Sequence, residues 1–147
     1  MNAHVPDTFL TLSSALTGFT EETLIFAQQT ADFYAVFEGA YGADTLAQLM
    51  QSFQSAVGEG NSPQQAAAHI LDETQDKTLA EAARALIVFW YLGQIKSTAD
   101  PTVLHIPSAN FFKQGLTWRA IQAHPPAAST QQFGYWTTPP AALSDFL

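Results

Sequence analysis

An eight-residue segment, Ala85 to Leu92, is apolar at every position and limits the folds open to this chain more than any other feature. On a helix, such a run presents apolar surface in all directions, so other structure must cover every side of it. The run is less than half of the roughly 20 residues that a membrane-spanning helix needs. We therefore expect the segment either at the centre of its own helical bundle or against a partner protein, and taken alone it favours the bundle.

Two helices are predicted before residue 40. The first has Asp7 as its expected N-cap and Gly18 as its terminator. The second begins after Thr20, has two glutamates at the positive end of its dipole, and ends near Gly39. Its apolar positions recur at helical spacing: Phe26, Phe33 and Phe37.

Three more helices are predicted between residues 44 and 96. The first of them follows Asp44 as cap and has the clearest one-sided pattern: Leu46, Leu49, Met50, Phe53 and Val57. The next opens with Ser62-Pro63-Gln64-Gln65, which combines an N-cap, a proline at N1 and a glutamine at N3. The last begins near Asp76 or Thr78, with Thr78 and Glu81 as a capping box, and continues to about Lys96. The fold class is therefore all-α, with about five helices in an irregular bundle.

The last third of the chain, residues 97–147, changes in composition. It holds six of the eight prolines and only four charged residues, so a regular helix throughout is excluded. It is also too aromatic for a solvated linker. We predict one domain, 1–147, with a helical bundle over 1–96 and an extended arm over 97–147. Such an arm either wraps its own bundle or docks on another protein, where aromatic anchors contribute most of the binding energy, and docking is favoured.

Charge and cysteine content exclude several classes of protein. The net charge of −8 repels phosphate backbones and anionic lipid, so neither nucleic-acid binding nor membrane-surface binding is expected. Direct membrane insertion is not expected either, because the longest apolar run is too short. The absence of cysteine excludes disulfides, thiolate zinc sites and iron–sulfur ligation within the chain. The first residues lack a basic region followed by an apolar stretch, so no signal peptide is expected in the printed sequence.

No set of residues in the sequence indicates a catalytic, cofactor-binding or metal-binding site. The histidines, at positions 4, 69, 105 and 124, lie far apart, and only His69 has acids at helical reach, Asp72 and Glu73. Neither HExxH nor a Glu-x-x-His pair occurs, and no nucleophile elbow, P-loop or dinucleotide-binding turn is present. We therefore expect no catalytic, cofactor-binding or metal-binding residue in this chain, and no enzyme activity of its own.

Two blocks nevertheless resemble a known family. Asp7 to Gly18 is similar to an opening helix of the form D-T-F-x-x-L-S-x-x-L-T-G. The second block begins with Trp90-Tyr91-Leu92-Gly93 and closes with Gly134 to Pro139, which resemble W-Y-x-G and a Gly-aromatic-Trp element. Both are typical of the small, or gamma, subunit of bacterial membrane-associated FAD-dependent sugar dehydrogenases. With their flanks they cover about half of the chain, and the middle shows only general helix signals.

The resemblance implies a cofactor-free, chaperone-like subunit in a heteromer. Its partner would be a large flavoprotein of the glucose-methanol-choline type, which holds FAD, performs catalysis and needs the small subunit to mature. A multihaem cytochrome c subunit is implied as a further member of the complex, and the periplasm as the location. The residues expected to contact the partner are Trp90, Tyr91, Phe111, Phe112, Trp118, Phe133, Gly134, Tyr135 and Trp136.

The chain departs from the family pattern in two respects. Its only arginines are Arg84 and Arg119, so the adjacent pair of a twin-arginine export signal is absent from these residues, which by themselves fit the cytoplasm equally well. Some relatives also have a cysteine before the closing element, where this chain has Ala123-His124-Pro125-Pro126. Covalent linkage to a large subunit is therefore not expected.

A different class of function stays open. The chain could be a self-contained helical protein that binds a small molecule, or an enzyme, whose aromatic arm closes a pocket over its own bundle. This alternative predicts a monomer with a concealed arm. A subunit without its partner would instead expose apolar surface and self-associate, and a homo-oligomer would bury the arm symmetrically.

Overall fold

Eight helices and one two-stranded hairpin make up the residues that the computed structural model describes, which are 5–27, 30–123 and 125. The all-α class is confirmed. In chain order the elements are α1 (Asp7–Thr17), α2 (Glu21–Phe26), α3 (Thr30–Tyr41), α4 (Ala43–Gly58), α5 (Pro63–Leu71), α6 (Lys77–Leu92), β1 (Ile95–Lys96), β2 (Leu104–His105), α7 (Ala109–Lys113) and α8 (Leu116–Ala120).

Helix α6 is the centre of the bundle. Helices α1, α3, α4, α5 and α8 and strand β1 all pack against it. Of the eight consecutive apolar residues that end this helix, only Leu92 is exposed. Most of the cover that this run needs is therefore supplied within the chain, which favours the first of the two alternatives that the sequence left open. Within the described residues no helix is long and apolar enough to cross a membrane.

Aromatic rings form the middle of the core. The ring of Trp90 stacks on that of Phe33, with centroids 4.2 Å apart and planes 8° from parallel. Phe89, one residue earlier on α6, approaches the same Phe33 ring at 4.4 Å. Aromatic pairs of this kind contribute about 0.5–1.5 kcal/mol each beyond the area that they bury. Phe33 thus holds α3 against α6.

Capping confirms several predicted helix starts. The Ser62 hydroxyl accepts from the Gln65 amide at 3.2 Å, and the Gln65 side chain accepts from the Ser62 amide at 2.9 Å, which completes a capping box. Thr20 caps α2 by accepting from the Thr23 amide at 3.3 Å. Gly18 ends α1 in the left-handed conformation, as predicted.

Three predicted caps were wrong. The N-cap of α1 is Pro6 and that of α4 is Gly42, so Asp7 and Asp44 lie inside the first turn, where a carboxylate favours the positive end of the helix dipole. Helix α6 begins after Asp76, which accepts from the Leu79 amide at 3.0 Å, rather than through a Thr78–Glu81 box. Asp7 and Asp44 were thus assigned to positions one and two residues too early in their helices, whereas the predicted start of α6 near Asp76 is confirmed and only the Thr78–Glu81 box is wrong.

The predicted second helix is two helices, which raises the number above five. Leu24 in α2 and Phe33 in α3 are both fully buried. Nine residues apart, they would lie on opposite sides of one continuous helix with about 3.6 residues per turn. A break between them lets both side chains enter the same core. Phe26, at the end of α2, is left 71% exposed, contrary to its predicted place in the apolar stripe.

Two further boundaries differ from the prediction. Helix α6 ends at Leu92 instead of Lys96, because Gly93 adopts a left-handed backbone with φ of 68°. Ile95 and Lys96 then pair with His105 and Leu104 as an antiparallel hairpin. On α4 the buried stripe closes with Ala56, and Val57 is exposed.

The described part of the predicted arm, residues 97–123, is not an extended chain. It contains β2, α7 and α8, and it buries Phe111 and Leu116 in the core. Local turns interrupt it because Pro101 and Pro107 prevent a long helix, while the buried side chains bring the chain back to α6. The rest of the predicted arm, 126–147, lies outside the described residues.

The centre of the core is tested by two substitutions on one helix. Trp90→Ala should lower the free energy of unfolding by about 3–5 kcal/mol, because it removes a buried ring and leaves a cavity against Phe33. Leu92→Ala, two residues away and 45% exposed, should change it by about 1 kcal/mol at most. Urea denaturation of both variants measures the difference, and equal effects would contradict the central place of Trp90.

Candidate functional site

Two described segments that the sequence analysis singled out contact one another. One is helix α1 with Gly18, and the other is the end of α6, from Trp90 to Gly93. The Tyr91 hydroxyl donates to the carbonyl oxygen of Thr17 at 2.7 Å, across 74 residues of chain. The Trp90 ring lies 6.4 Å from that of Phe9. The two segments therefore form one packed unit, which we call the α1–α6 module.

The segment after the hairpin closes on this module through two glycines. A Cβ at Gly93 would lie 2.6 Å from the backbone of Phe111, and one at Gly115 would lie 2.6 Å from the carbonyl oxygen of Tyr91. Real Cβ atoms do not approach a backbone so closely, so only glycine fits at both positions. The backbone of 109–116 thus lies directly against the end of α6.

Aromatic side chains complete this contact. Phe111 is buried, with its ring 4.9 Å from Phe33 and 5.1 Å from Phe89. Phe112 packs edge-on against Trp118 at 5.4 Å, and the Trp118 indole donates to the Phe112 carbonyl at 2.8 Å. The Trp118 indole and the Tyr91 hydroxyl therefore both have partners within the chain, whereas the buried Trp90 indole has none among the described residues.

The structure brings five of the nine predicted partner-binding residues together at the end of α6. Trp90 and Phe111 are inside the core, whereas Tyr91, Phe112 and Trp118 are half-buried around it. The other four, Phe133, Gly134, Tyr135 and Trp136, lie outside the described residues. Partner binding by these nine residues stays a prediction.

An exposed apolar strand edge was missed by the sequence reasoning. Val103, Leu104 and Ile106 are 49%, 57% and 39% exposed, and no charged residue lies among them. Within the described part of the chain, β2 pairs with β1 and with no other strand. We call residues 103–106 the β2 edge. The signal that could have found it is the turn sequence Asp100-Pro101-Thr102 followed at once by Val103 and Leu104.

The turn of this hairpin carries a fixed negative charge. Both the amide and the hydroxyl of Thr102 donate to Asp100, at 3.0 and 2.6 Å. The hydroxyl and then the amide lower the pKa of the Asp100 carboxyl, because each donor favours its ionised form. Asp100 therefore stays ionised at neutral pH and marks one end of the apolar β2 edge.

A polar groove lies on a different side of the bundle, between α4, α5 and the start of α6. Its volume is about 490 Å³. Buried apolar side chains line its floor, and amide, hydroxyl, carboxyl and imidazole groups line its walls. The lining residues are Gln48, Gln51, Ser52, Ser55, Ala56, Glu59, His69, Ile70, Gln75, Asp76 and Leu79.

Most charged side chains near the groove form hydrogen bonds or ion pairs with neighbouring residues. Thr74 donates from its hydroxyl and its amide to Asp72, at 2.7 and 2.9 Å, and these bonds lower the pKa of the Asp72 carboxyl. Arg84 pairs with Glu73 and also donates to the carbonyl of Leu71 at 3.1 Å. Lys77 lies 3.9 Å from Glu81. Both cations beside the groove thus already have anionic partners.

A second group of polar side chains lies where α3 meets β1. The Lys96 ammonium is 3.9 Å from the centroid of the Tyr41 ring, a cation–π contact. Burial, and then the charge of Glu81, raise the pKa of the Tyr41 phenol. This phenol is therefore neutral at physiological pH and serves as a packing surface. Over the described ranges, no cluster of three or more His, Cys, Asp or Glu could hold a metal ion.

Comparison with known proteins gives no significant match to a family model, to a curated protein or to a solved structure. The arguments that follow therefore depend on the residues and geometry of this chain.

The close contacts of glycine provide a matched test of how α6 and α8 are joined. Gly115→Ala should destabilise the fold, because the added Cβ would meet the Tyr91 carbonyl oxygen at 2.6 Å. Gly39→Ala, inside helix α3 with open space around it, should raise the free energy of unfolding by about 0.5–1 kcal/mol. Thermal denaturation of both variants should give shifts of opposite sign. A stabilising Gly115→Ala would contradict the described contact.

Proposed function

We propose that this chain is a non-catalytic small subunit of an FAD-dependent sugar or polyol dehydrogenase complex. It binds the large glucose-methanol-choline type flavoprotein and assists its maturation, while FAD and catalysis belong to that partner. The observation that carries the proposal is the α1–α6 module: two family-like segments, separated by more than 70 residues, pack on each other.

Matched positions in the module have packing roles, and this supports the proposal. Phe9 and Leu12 are fully buried, and Gly18 and Gly93 end their helices in the left-handed conformation. If the two segments resembled the family motifs only by chance, they would not be expected to contact each other or to contain the residues that join two helices. A structural unit shared with the family would explain both resemblances. The function then follows by resemblance to the family.

The distribution of apolar surface also supports a protein with a partner. Leu92 at the end of α6 and the three apolar residues of the β2 edge are exposed. Edge strands with apolar side chains are templates for pairing with another chain, and proteins usually protect them. An interface with the flavoprotein at this end of the molecule would remove this apolar surface from water. A multihaem cytochrome c subunit and a periplasmic location are further parts of the proposal.

The proposal is tested by co-expression with a large flavoprotein encoded beside this chain. Flavin content of the purified flavoprotein and dye-linked sugar oxidation should both depend on the chain. Trp136→Ala should weaken association by about 2 kcal/mol if Trp136 is a central anchor, which corresponds to a roughly 30-fold higher Kd. A titration with the purified flavoprotein measures this change.

The control is Gln64→Ala, on the exposed side of α5. This variant should bind the flavoprotein as tightly as the unmodified chain. If the flavoprotein matures without the chain and does not bind it, the subunit proposal is rejected. If it binds but Trp136→Ala has no effect, only the anchor role of Trp136 is rejected.

The polar groove favours a second candidate function, that of a self-contained protein that binds a small molecule. Its volume of about 490 Å³ falls in the range of about 300–1,000 Å³ typical of ligand sites. The groups on its walls, among them the amide of Gln51 and the hydroxyl of Ser55, match a small ligand rich in hydroxyl or amine groups. The chain would then act as a monomer.

This second function is tested by titration with sorbitol and with putrescine, followed through backbone amide chemical shifts. Binding should move the signals of Gln51 and Ser55, and Ser55→Leu should abolish the change by filling the groove. The matched control, Gln64→Leu, lies outside the groove lining and should leave binding intact. Shifts that are absent with both probes, or that survive Ser55→Leu, would reject this use of the groove.

A further inference from the structure

The polar groove between α4, α5 and α6 has carboxylates but no basic lysine or arginine in its lining. The two carboxylates are those of Glu59 and Asp76, and His69 is the only other titratable group that lines it. A concave surface with charge of one sign attracts ligands of the opposite sign, because its low-dielectric walls focus the field. The groove therefore favours a cationic ligand over an anionic one.

Glu59 lies at the end of α4 where a negative charge is least favourable. It is the C-cap of this 16-residue helix, and the last turn contains no basic residue. The helix dipole places partial negative charge at that end, so a cation is preferred there. Among the described residues, the Glu59 carboxylate has neither an ion pair nor a hydrogen bond. A cationic ligand would compensate both the carboxylate and the helix end.

Asp76 offers a second anionic group at the start of α6. Its Oδ1 accepts from the Leu79 amide at 3.0 Å and caps the helix, which leaves Oδ2 for a ligand. The two cations near the groove, Lys77 and Arg84, are paired with other carboxylates. The negative charge of the groove is therefore not neutralised by its own surroundings.

The floor of the groove is apolar, whereas its walls carry hydrogen-bond acceptors. Ala56, Ile70 and Leu79 are buried beneath it, and methylene groups of a ligand would pack on them. Along α4 the lining extends from Gln48 to Glu59, about 16 Å at about 1.5 Å per residue. Amide and hydroxyl oxygens on this helix accept bonds from N–H groups. The shape thus suits a linear molecule with apolar and cationic parts.

Other small ligands fit the groove less well. Over the described ranges, no group of three or more His, Cys, Asp or Glu could hold a metal ion. Mg²⁺ also prefers about six oxygen ligands at octahedral positions. A polyol would bring no charge to the carboxylates, and an anion would be repelled by them.

We propose that the polar groove binds a linear aliphatic di- or polyamine. The ammonium groups of the ligand bond to Glu59 and Asp76, and its methylene groups cover the apolar floor. This inference rests on the second candidate function, the binding of a small molecule, and adds the class of the ligand and the charges that select it.

Three probes with chains of four carbons separate the effect of charge from that of shape. They are putrescine, neutral 1,4-butanediol and the dianion succinate, each titrated into the full-length protein at constant ionic strength. The backbone amide signals of Gln51 and Ser55 report binding. Putrescine should bind about tenfold more tightly than 1,4-butanediol, because charge-assisted hydrogen bonds are about twice as strong as neutral ones. Succinate should leave the signals unchanged.

Glu59→Gln keeps the shape of the side chain and removes its charge. It should weaken putrescine binding about threefold, the modest effect expected of an exposed ion pair, and leave 1,4-butanediol binding unchanged. The thermal stability of the variant should not fall, because the lost charge opposes the helix dipole. The matched control is Glu22→Gln, an exposed acid on α2 outside the lining, which should bind putrescine as the unmodified chain does.

The possible failures are distinguishable. If 1,4-butanediol binds as tightly as putrescine, the amine class is rejected and the small-molecule function stands. If no probe moves the signals, both are rejected. Mg²⁺ at the same concentration tests for unselective attraction of dications, and equal shifts of the same signals would overturn the inference. An equal loss of affinity in Glu22→Gln would overturn it too, because net charge alone would then explain the binding. Since no flavoprotein is present, each result is separate from the co-expression test.

Discussion

The stack of Trp90 on Phe33 is the contact on which the rest of the structure depends. It lies where the apolar second half of α6 meets α3, and Phe89, also on α6, and Phe111 of α7 approach the same Phe33 ring. Because the second half of α6 is apolar on every side, neighbouring helices cover part of it, and the chain after the hairpin covers the end that remains. The bundle is therefore organised around one helix, not around paired amphipathic faces.

The described residues of the two segments singled out in the sequence mainly hold this centre together. Tyr91 fastens the end of α1, Gly93 admits the backbone of Phe111, and Trp90 is fully buried. This explains why aromatic residues that the sequence suggested as partner contacts, such as Phe111, lie inside the core. Core positions and interface positions both require apolar, rigid side chains, so composition cannot distinguish them. The exposed β2 edge shows where the described chain still offers apolar surface.

Capping residues, which act within one helical turn, predicted the ends of the helices most accurately. The capping box of Ser62 and Gln65 and the caps at Thr20 and Gly18 were predicted and are present, because each depends on groups within one helical turn. The break between α2 and α3 and the hairpin after Gly93 were not predicted. Their causes are contacts of Leu24, Phe33 and Ile95 with residues distant in sequence, which no local window contains.

The sequence by itself determined that this chain is all-α, that Ala85 to Leu92 must be covered on every side, and that helices begin near Thr20, Ser62 and Asp76. These follow from periodicity and from short-range hydrogen bonds. Only the tertiary structure decided what covers α6, because burial depends on where distant elements meet. It placed the backbone of Phe111 against Gly93 and left the β2 edge exposed, since the direction of the chain after α6 is set by packing and by one left-handed glycine.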